Sequence, residues 1–310
     1  MPGLTLVSGW HDMTEQTINA PETGGPSWAA QLRQRIFGHL GLTIGGGILT
    51  LIVLCALLAG VIAPHDPYVQ ELTNRFASPV WMDGGGWDHI LGTDHLGRDY
   101  LSRLLYGARI SLLIGIVAAL ISGMIGTIMG VSAGYFGGKV DAVVMFLITV
   151  RLSMPVVLVA LAVVALFGGS LFVVVTVLGL LLWDRFAVVM RSCTMQIRDL
   201  DYITSAKALG CSTPRILLTE IMPNVLNSLI VVVTLEMAHA IVLEAALSFL
   251  GLGVQPPLPS WGLMISEGKD MLLFEPWLIT IPGVALFTLI FAINMLGDGI
   301  RDVTAPENRN

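Results

Sequence analysis

Ile110-Ser-Leu-Leu-Ile-Gly-Ile-Val-Ala-Ala-Leu-Ile-Ser-Gly-Met-Ile-Gly-Thr-Ile-Met-Gly-Val-Ser-Ala-Gly-Tyr135 is an apolar run without one charged side chain. At 1.5 Å per residue it is long enough to cross a hydrocarbon core of about 30 Å as a helix. Its glycines, Gly115, Gly123, Gly126, Gly130 and Gly134, are not scattered: the last three recur every fourth residue and share one helix face. Helices in lipid gain little from hydrophobicity alone and associate where small residues let backbones approach. The run therefore predicts a membrane-crossing helix with a close-packing face. A role for that face in a conducting path is the alternative.

Five more apolar runs follow the same logic: His39–Ala63, Val140–Phe167, Leu171–Met190, Val225–Leu250 and Trp277–Ile300. The first is too long, and too far from the start, for a cleaved signal peptide, so it is expected to persist as the first helix. Composition agrees. The 310 residues are 55% hydrophobic and only 12% charged, about half the charge of a soluble domain, and the mean hydropathy is +0.80. The expected fold is an all-α, polytopic membrane bundle of about six helices. A net charge of −6 leaves no basic footprint for nucleic acid. Cys55, Cys193 and Cys211 have neither disulfide nor zinc spacing.

The runs divide the chain into a polar tail (1–38), a first helix (39–63), a polar segment (64–109), a core of five helices (110–300) interrupted by a polar stretch (191–224), and a short tail (301–310). With both termini in the cytoplasm, inward segments hold Arg33, Arg35, Lys139, Arg191, Arg198, Lys207, Arg215, Arg301 and Arg309. Outward segments hold Arg75, Arg98, Arg103, Arg109 and Lys269. The excess of positive charge favours that orientation. Within 191–224, Ile203, Ala206, Leu209 and Gly210 fall at helix spacing between Asp201 and Pro214, predicting a short cytoplasmic helix over Tyr202–Gly210.

Charges inside apolar runs are costly and therefore informative. Arg151 lies in the third run; Glu236, His239 and Glu244 lie in the fifth. At 100° per residue Glu236 and Glu244 stand about 80° apart, with His239 about 60° to the other side, so the three make one polar face. Either Arg151 neutralises one of these carboxylates between helices, or the group lines a wet pathway. One His and two carboxylates on one helix are a weak metal signal. A phosphate-cradling loop needs Gly-Lys followed by Ser or Thr, but Gly138-Lys139 precedes Val140 and Gly268-Lys269 precedes Asp270. Nucleophile-elbow and zincin motifs are lacking too. The chain is not expected to be an enzyme or to hold a cofactor of its own.

Thr204-Ser205-Ala206, three residues, Gly210, then twelve residues and Pro223 resembles the "EAA loop" of permease subunits in bacterial ABC importers. Thr204 replaces the Glu and Ser205 the first Ala. Leu91-Gly-Thr-Asp-His-Leu-Gly-Arg-Asp99, with Gly92, Thr93, Asp94, Gly97, Arg98 and Asp99, and Ser102 through Arg109 behind it, is similar to the segment ahead of the second helix in C-type permeases of dipeptide, oligopeptide and nickel importers. Glu244 through Gly262, Trp183 with Arg185, Phe186 and Ala187, and Leu296 through Asp302 resemble later parts of the same family. The third helix departs from its pattern: Phe146 follows Met145, Thr149 stands where an Asp is usual, Arg151 is added and Pro155 is kept.

The resemblance implies the type I ABC importer permease fold in a bacterial inner membrane. It implies a heterodimer with a B-type permease forming one translocation pathway, two cytoplasmic ATPases that carry ATP and magnesium, and an extracytoplasmic substrate-binding protein. The segment Tyr202–Gly210 would dock on an ATPase. Pro64–Ala108 and Gly251–Pro276 would shape the outer surface. Di- or oligopeptides are the implied cargo, with nickel or another small solute as the alternative within the family. An ion-coupled secondary transporter using Arg151, Glu236 and Glu244 is the alternative from another class, although the sequence has no clear internal repeat.

Overall fold

The computed structural model describes residues 39–304. The tail through residue 38, with Arg33 and Arg35, and residues 305–310, with Arg309, lie outside the described residues. The described chain is a helical bundle: α1 Leu40–Leu57, α2 Tyr100–Phe136, α3 Gly138–Leu152, α4 Val156–Phe167, α5 Leu171–Leu181, α6 Trp183–Ile197, α7 Asp201–Ala208, α8 Met222–Phe249, α9 Trp261–Gly268 and α10 Trp277–Thr304. Among these residues five helices are long and apolar enough to cross a membrane, α5 and α6 together making one of them. The bent pair α3–α4 can supply a sixth. The exterior is apolar around the bundle, with Leu51, Leu120, Phe146, Phe172 and Phe287 all exposed.

α2 is the central post, packed against α1, α3, α5, α6 and α8. Its closest neighbour is α6, for the reason the glycine spacing predicts. A Cβ at Gly126 would fall on the Trp183 carbonyl, at Gly130 on the Ala187 carbonyl, and at Gly134 within 2.7 Å of the Arg191 carbonyl. α2 also begins earlier than the apolar pattern suggests. Asp99 caps it by accepting the Ser102 N–H at 2.8 Å, so Tyr100–Arg109, expected in the polar segment, are its first turns. Hydropathy marks where lipid begins; the cap marks where the helix begins.

The third apolar run is not one helix. α3 and α4 meet at 81° across Ser153–Pro155. Proline disfavours helical geometry at the preceding residue and lacks the N–H that would continue the ladder. At 1.5 Å per residue each half is shorter than the hydrocarbon core. A second irregularity precedes α8, where Ile216–Ile221 form a π turn directly before Met222-Pro223. The wider turn accommodates a proline near the start of a helix that is otherwise continuous from Thr213 to Phe249.

The ends of the bundle differ. At one lie α7, the start of α1 and the end of α10, the last two joined by His39 Nε2–Asp302 Oδ2 at 3.1 Å. At the other lie residues 64–99 and α9, a helix that the sequence reading of Gly251–Pro276 did not anticipate.

Candidate functional site

Three groups of residues carry the chemistry, and the structure keeps them apart. The first is the short helix at the end where the termini converge. α7 is anchored chiefly by Ile203, buried with Val131, Met190, Ile216, Ile221 and Val225, with Ala206 packed against the same cluster. Tyr202, Thr204 and Ser205 are exposed, Ala206 is half-buried, and Leu209 is 84% exposed. The helix ends in a Schellman turn: Cys211 N–H donates to the Ala206 carbonyl at 3.1 Å and Gly210 N–H to the Lys207 carbonyl at 3.0 Å. That turn needs the left-handed Gly210, at φ +79°, beyond which lies open space. Asn224 beside Pro223 donates to Tyr202 Oη at 3.3 Å, tying α7 to the start of α8. The helix expected over Tyr202–Gly210 is thus present, anchored on one side and bare on the other.

The second group is the intramembrane charges. The sequence reading brings Arg151 to the Glu236/Glu244 face, and here it needs correction. Arg151, in the last turn of α3, donates to the Leu181 carbonyl at 2.6 Å and lies 3.6 Å from Asp184 at the α5–α6 junction. Its neutraliser is a carboxylate between helices, but it is Asp184, because α3 packs against α6 at this end. Glu236, 1% exposed, instead takes Arg185 Nη1 at 3.0 Å and His239 Nδ1 at 3.3 Å. Arg185 is 60% exposed. A third pair, Arg191–Asp141, joins α6 to α3.

Glu244 parts from its expected neighbours. It is fully buried, and its Oε1 accepts the hydroxyls of Ser248 at 2.7 Å and Ser260 at 2.9 Å. Ser260 in turn caps α9 by accepting the Leu263 N–H at 3.0 Å. Glu244 therefore secures α9 through Ser260. Asp184, Asp141 and the helix α9 with its Glu267 were missed by the sequence reading. Asp184 sits between Trp183 and Arg185, inside a motif read for its other members.

The third group is the segment around Gly92–Asp99. The residues Gly92, Thr93, Asp94, Gly97, Arg98 and Asp99 are all buried. The motif is a clamp beneath the surface rather than the surface itself. Asp94 accepts the backbone N–H groups of Leu96 at 2.8 Å and Arg98 at 3.0 Å, the Arg98 side chain at 2.7 Å, and Arg103. Glu267 on α9 takes Arg103 at 2.7 Å and Arg98 at 3.1 Å. Burial alone would raise the Asp94 carboxyl; Arg103, Arg98 and the two N–H groups outweigh it and hold the group below the usual carboxylate range. Tyr100 donates to the Leu278 carbonyl, fastening the same clamp to α10. Asp94, His95 and Glu267 lie close enough to suggest a metal site, but two guanidinium groups already occupy these carboxylates.

The chain matches two family models: binding-protein-dependent transport system inner membrane component over residues 126–310, and N-terminal TM domain of oligopeptide transport permease C over residues 27–79. It is 38% identical to the di/tripeptide transport system permease protein DppC of Pseudomonas aeruginosa, over 88% of this chain and 91% of that protein. It is 36% identical to the oligopeptide transport system permease protein OppC of Haemophilus influenzae, over 96% of each. Among solved structures, a chain of the MetNI methionine ABC transporter superposes with a TM-score of 0.54 at 17% identity, covering 66% of this chain and 97% of that one. That likeness speaks for the fold. With a family model spanning more than half of its length and relatives of this identity along nearly all of it, the chain belongs to the binding-protein-dependent transport system inner membrane components.

Proposed function

We propose that this chain is the C-type permease subunit of an ATP-driven importer of di- and oligopeptides, pairing with a B-type permease to enclose one translocation pathway. The observation that carries the proposal is Arg185. A guanidinium that is 60% exposed on a membrane-crossing helix is not tolerated against lipid. The flank carrying Arg185, Glu236 and His239 is therefore a wet or subunit-covered face. A path that presents the Arg185 guanidinium and the part-exposed His239, with Glu236 buried behind them, suits solutes that carry a carboxylate, as peptides do. The names of the relatives at 36–38% identity support the same cargo class.

Coupling to ATP falls to α7. Its bare face, Tyr202, Thr204, Ser205 and Leu209, ending at Gly210, would seat in a groove on a cytoplasmic ATPase. Closure of two such ATPases around ATP and magnesium would move α7 and the π turn Ile216–Ile221 as a body, tilting α8 with Glu236. The end bearing α7 would then face the cytoplasm and the α9 end the substrate-binding protein. Charge supports that orientation: Arg198, Lys207 and Arg215 cluster around α7, whereas Arg98 and Arg103 at the other end are buried in ion pairs.

Affinity purification in mild detergent tests the assembly: a second permease and ATPases should accompany the chain. Gly210→Arg tests the coupling. Space for the side chain is open, and the left-handed backbone costs a non-glycine residue only about 1–2 kcal/mol. The variant should insert and fold, yet lose the ATPases and transport; Gly210→Asn, whose short side chain tolerates that backbone, should keep both. Transport at the parental rate by Gly210→Arg contradicts the assignment.

A further inference from the structure

His65, His89 and Asp99 come from three separate places: just past the helical turn Ala59–Ile62 that follows α1, the end of the 3-10 turn Trp87–His89, and the cap of α2. The Asp99 side chain is 1% exposed; its Oδ1 lies 2.9 Å from His89 Nδ1 and 3.6 Å from His65 Nδ1. One nitrogen from each imidazole and this oxygen all lie within 4.8 Å of one another. Donors on a tetrahedral ion with bonds of about 2.0–2.2 Å stand roughly 3.4 Å apart, so the two measured separations bracket what an ion needs.

Two further observations point to a ligand. Ser102 ties two of the three together: its N–H donates to Asp99 Oδ2 at 2.8 Å, and its Oγ accepts the backbone N–H of His65 at 3.1 Å. The first bond aims the Asp99 carboxylate, as outer contacts do for ligands, and the second holds the backbone of His65 beside it. The three donors also open on a pocket walled by Asp66, Val69, Glu71 and Gly97, which leaves a fourth position accessible and adds negative charge beside it. By contrast with Asp94 and Glu267, no guanidinium among the described residues is paired with Asp99. Two imidazoles and one carboxylate suit zinc, cobalt or nickel rather than calcium or magnesium.

We propose that His65, His89 and Asp99 bind one divalent transition-metal ion, which pins the chain after α1 and the Trp87–His89 turn to the first turn of α2. The site is independent of the transport assignment. The test titrates the purified full-length chain, tag removed, with Co²⁺ and separately with Zn²⁺. One ion per chain should bind, with the visible spectrum of four-coordinate cobalt and no thiolate charge-transfer band, which sets Cys55, Cys193 and Cys211 aside.

His65 is half-exposed, so His65→Gln should leave metal-free thermal stability unchanged. It should nonetheless weaken binding by more than the roughly 10–100-fold that loss of an outer contact costs. His89→Gln, which keeps a polar group near Asp99, should do the same. A missing cobalt spectrum at millimolar metal overturns the proposal. So does affinity unchanged in both variants, or uptake of several ions that neither substitution affects.

Discussion

Gly130→Ala adds one methyl group at the contact between α2 and α6. The new Cβ would fall on the Ala187 carbonyl, with Met190 Cβ at 2.9 Å and Ala187 Cα at 3.0 Å. Carbon atoms pack best at about 3.5–4.0 Å. The neighbours are backbone and a Cβ rather than the ends of flexible side chains, so the helices must part by somewhat less than 1 Å at this level. A gap of that size forfeits a quarter to a half of each facing dispersion contact, and overfilling a packed core costs about 1–3 kcal/mol. The expected loss is in that range, a factor of roughly 5 to 150 in the folding equilibrium. Gly47→Ala, on the exposed flank of α1 where nothing lies within 4 Å, provides the opposite sign. There alanine should stabilise by about 0.5–1 kcal/mol, because it restricts the unfolded chain. Reversible unfolding in mixed micelles titrated with a denaturing detergent measures both. If Gly130→Ala proves as stable as Gly47→Ala, the account of α2 as a backbone-to-backbone post is wrong.

Arg185→Ala leaves Glu236 buried with only His239 beside it; the loss should sit below the roughly 3–5 kcal/mol typical of a broken buried pair, because Arg185 is 60% exposed. Adding Glu236→Gln should recover most of it, and no recovery would show that the pair is not what matters. Acid tests the Asp94 clamp. Because the folded carboxyl is held below its ordinary value, its stabilisation is present above the unfolded value of about 3.9 and is lost as pH falls through the folded one. The difference in melting temperature between the parent and Asp94→Asn should stay constant from pH 8 to pH 5 and shrink below about pH 4. A difference that persists in stronger acid rules out the charged clamp.

Much of this architecture was legible because its causes are local. Apolar length marks a span, and glycines four apart mark a face that a partner backbone can touch. Gly210 after a short periodic stretch marks the end of α7. What failed to show involved a bend or a distant partner. Pro155 was visible, but not the 81° turn beside it, and the pairing of Arg151 with Asp184 across helices has no signature in spacing. Glu236 and Glu244 share a helix face in the periodic count. The serine cap of α9, far along the chain, nonetheless makes Glu244 a structural group, while Arg185 makes Glu236 a functional candidate. The segment around Gly92–Asp99 read as an outer surface because it is polar, yet its polar groups satisfy one another in the interior.

The most direct test of the central claim is accumulation of a labelled dipeptide by proteoliposomes. These would hold this chain, its B-type partner and their ATPases, with ATP enclosed and the binding protein outside. The account predicts accumulation that needs hydrolysable ATP and disappears with Gly210→Arg. Accumulation that continues without ATP, driven by an ion gradient alone, would contradict it.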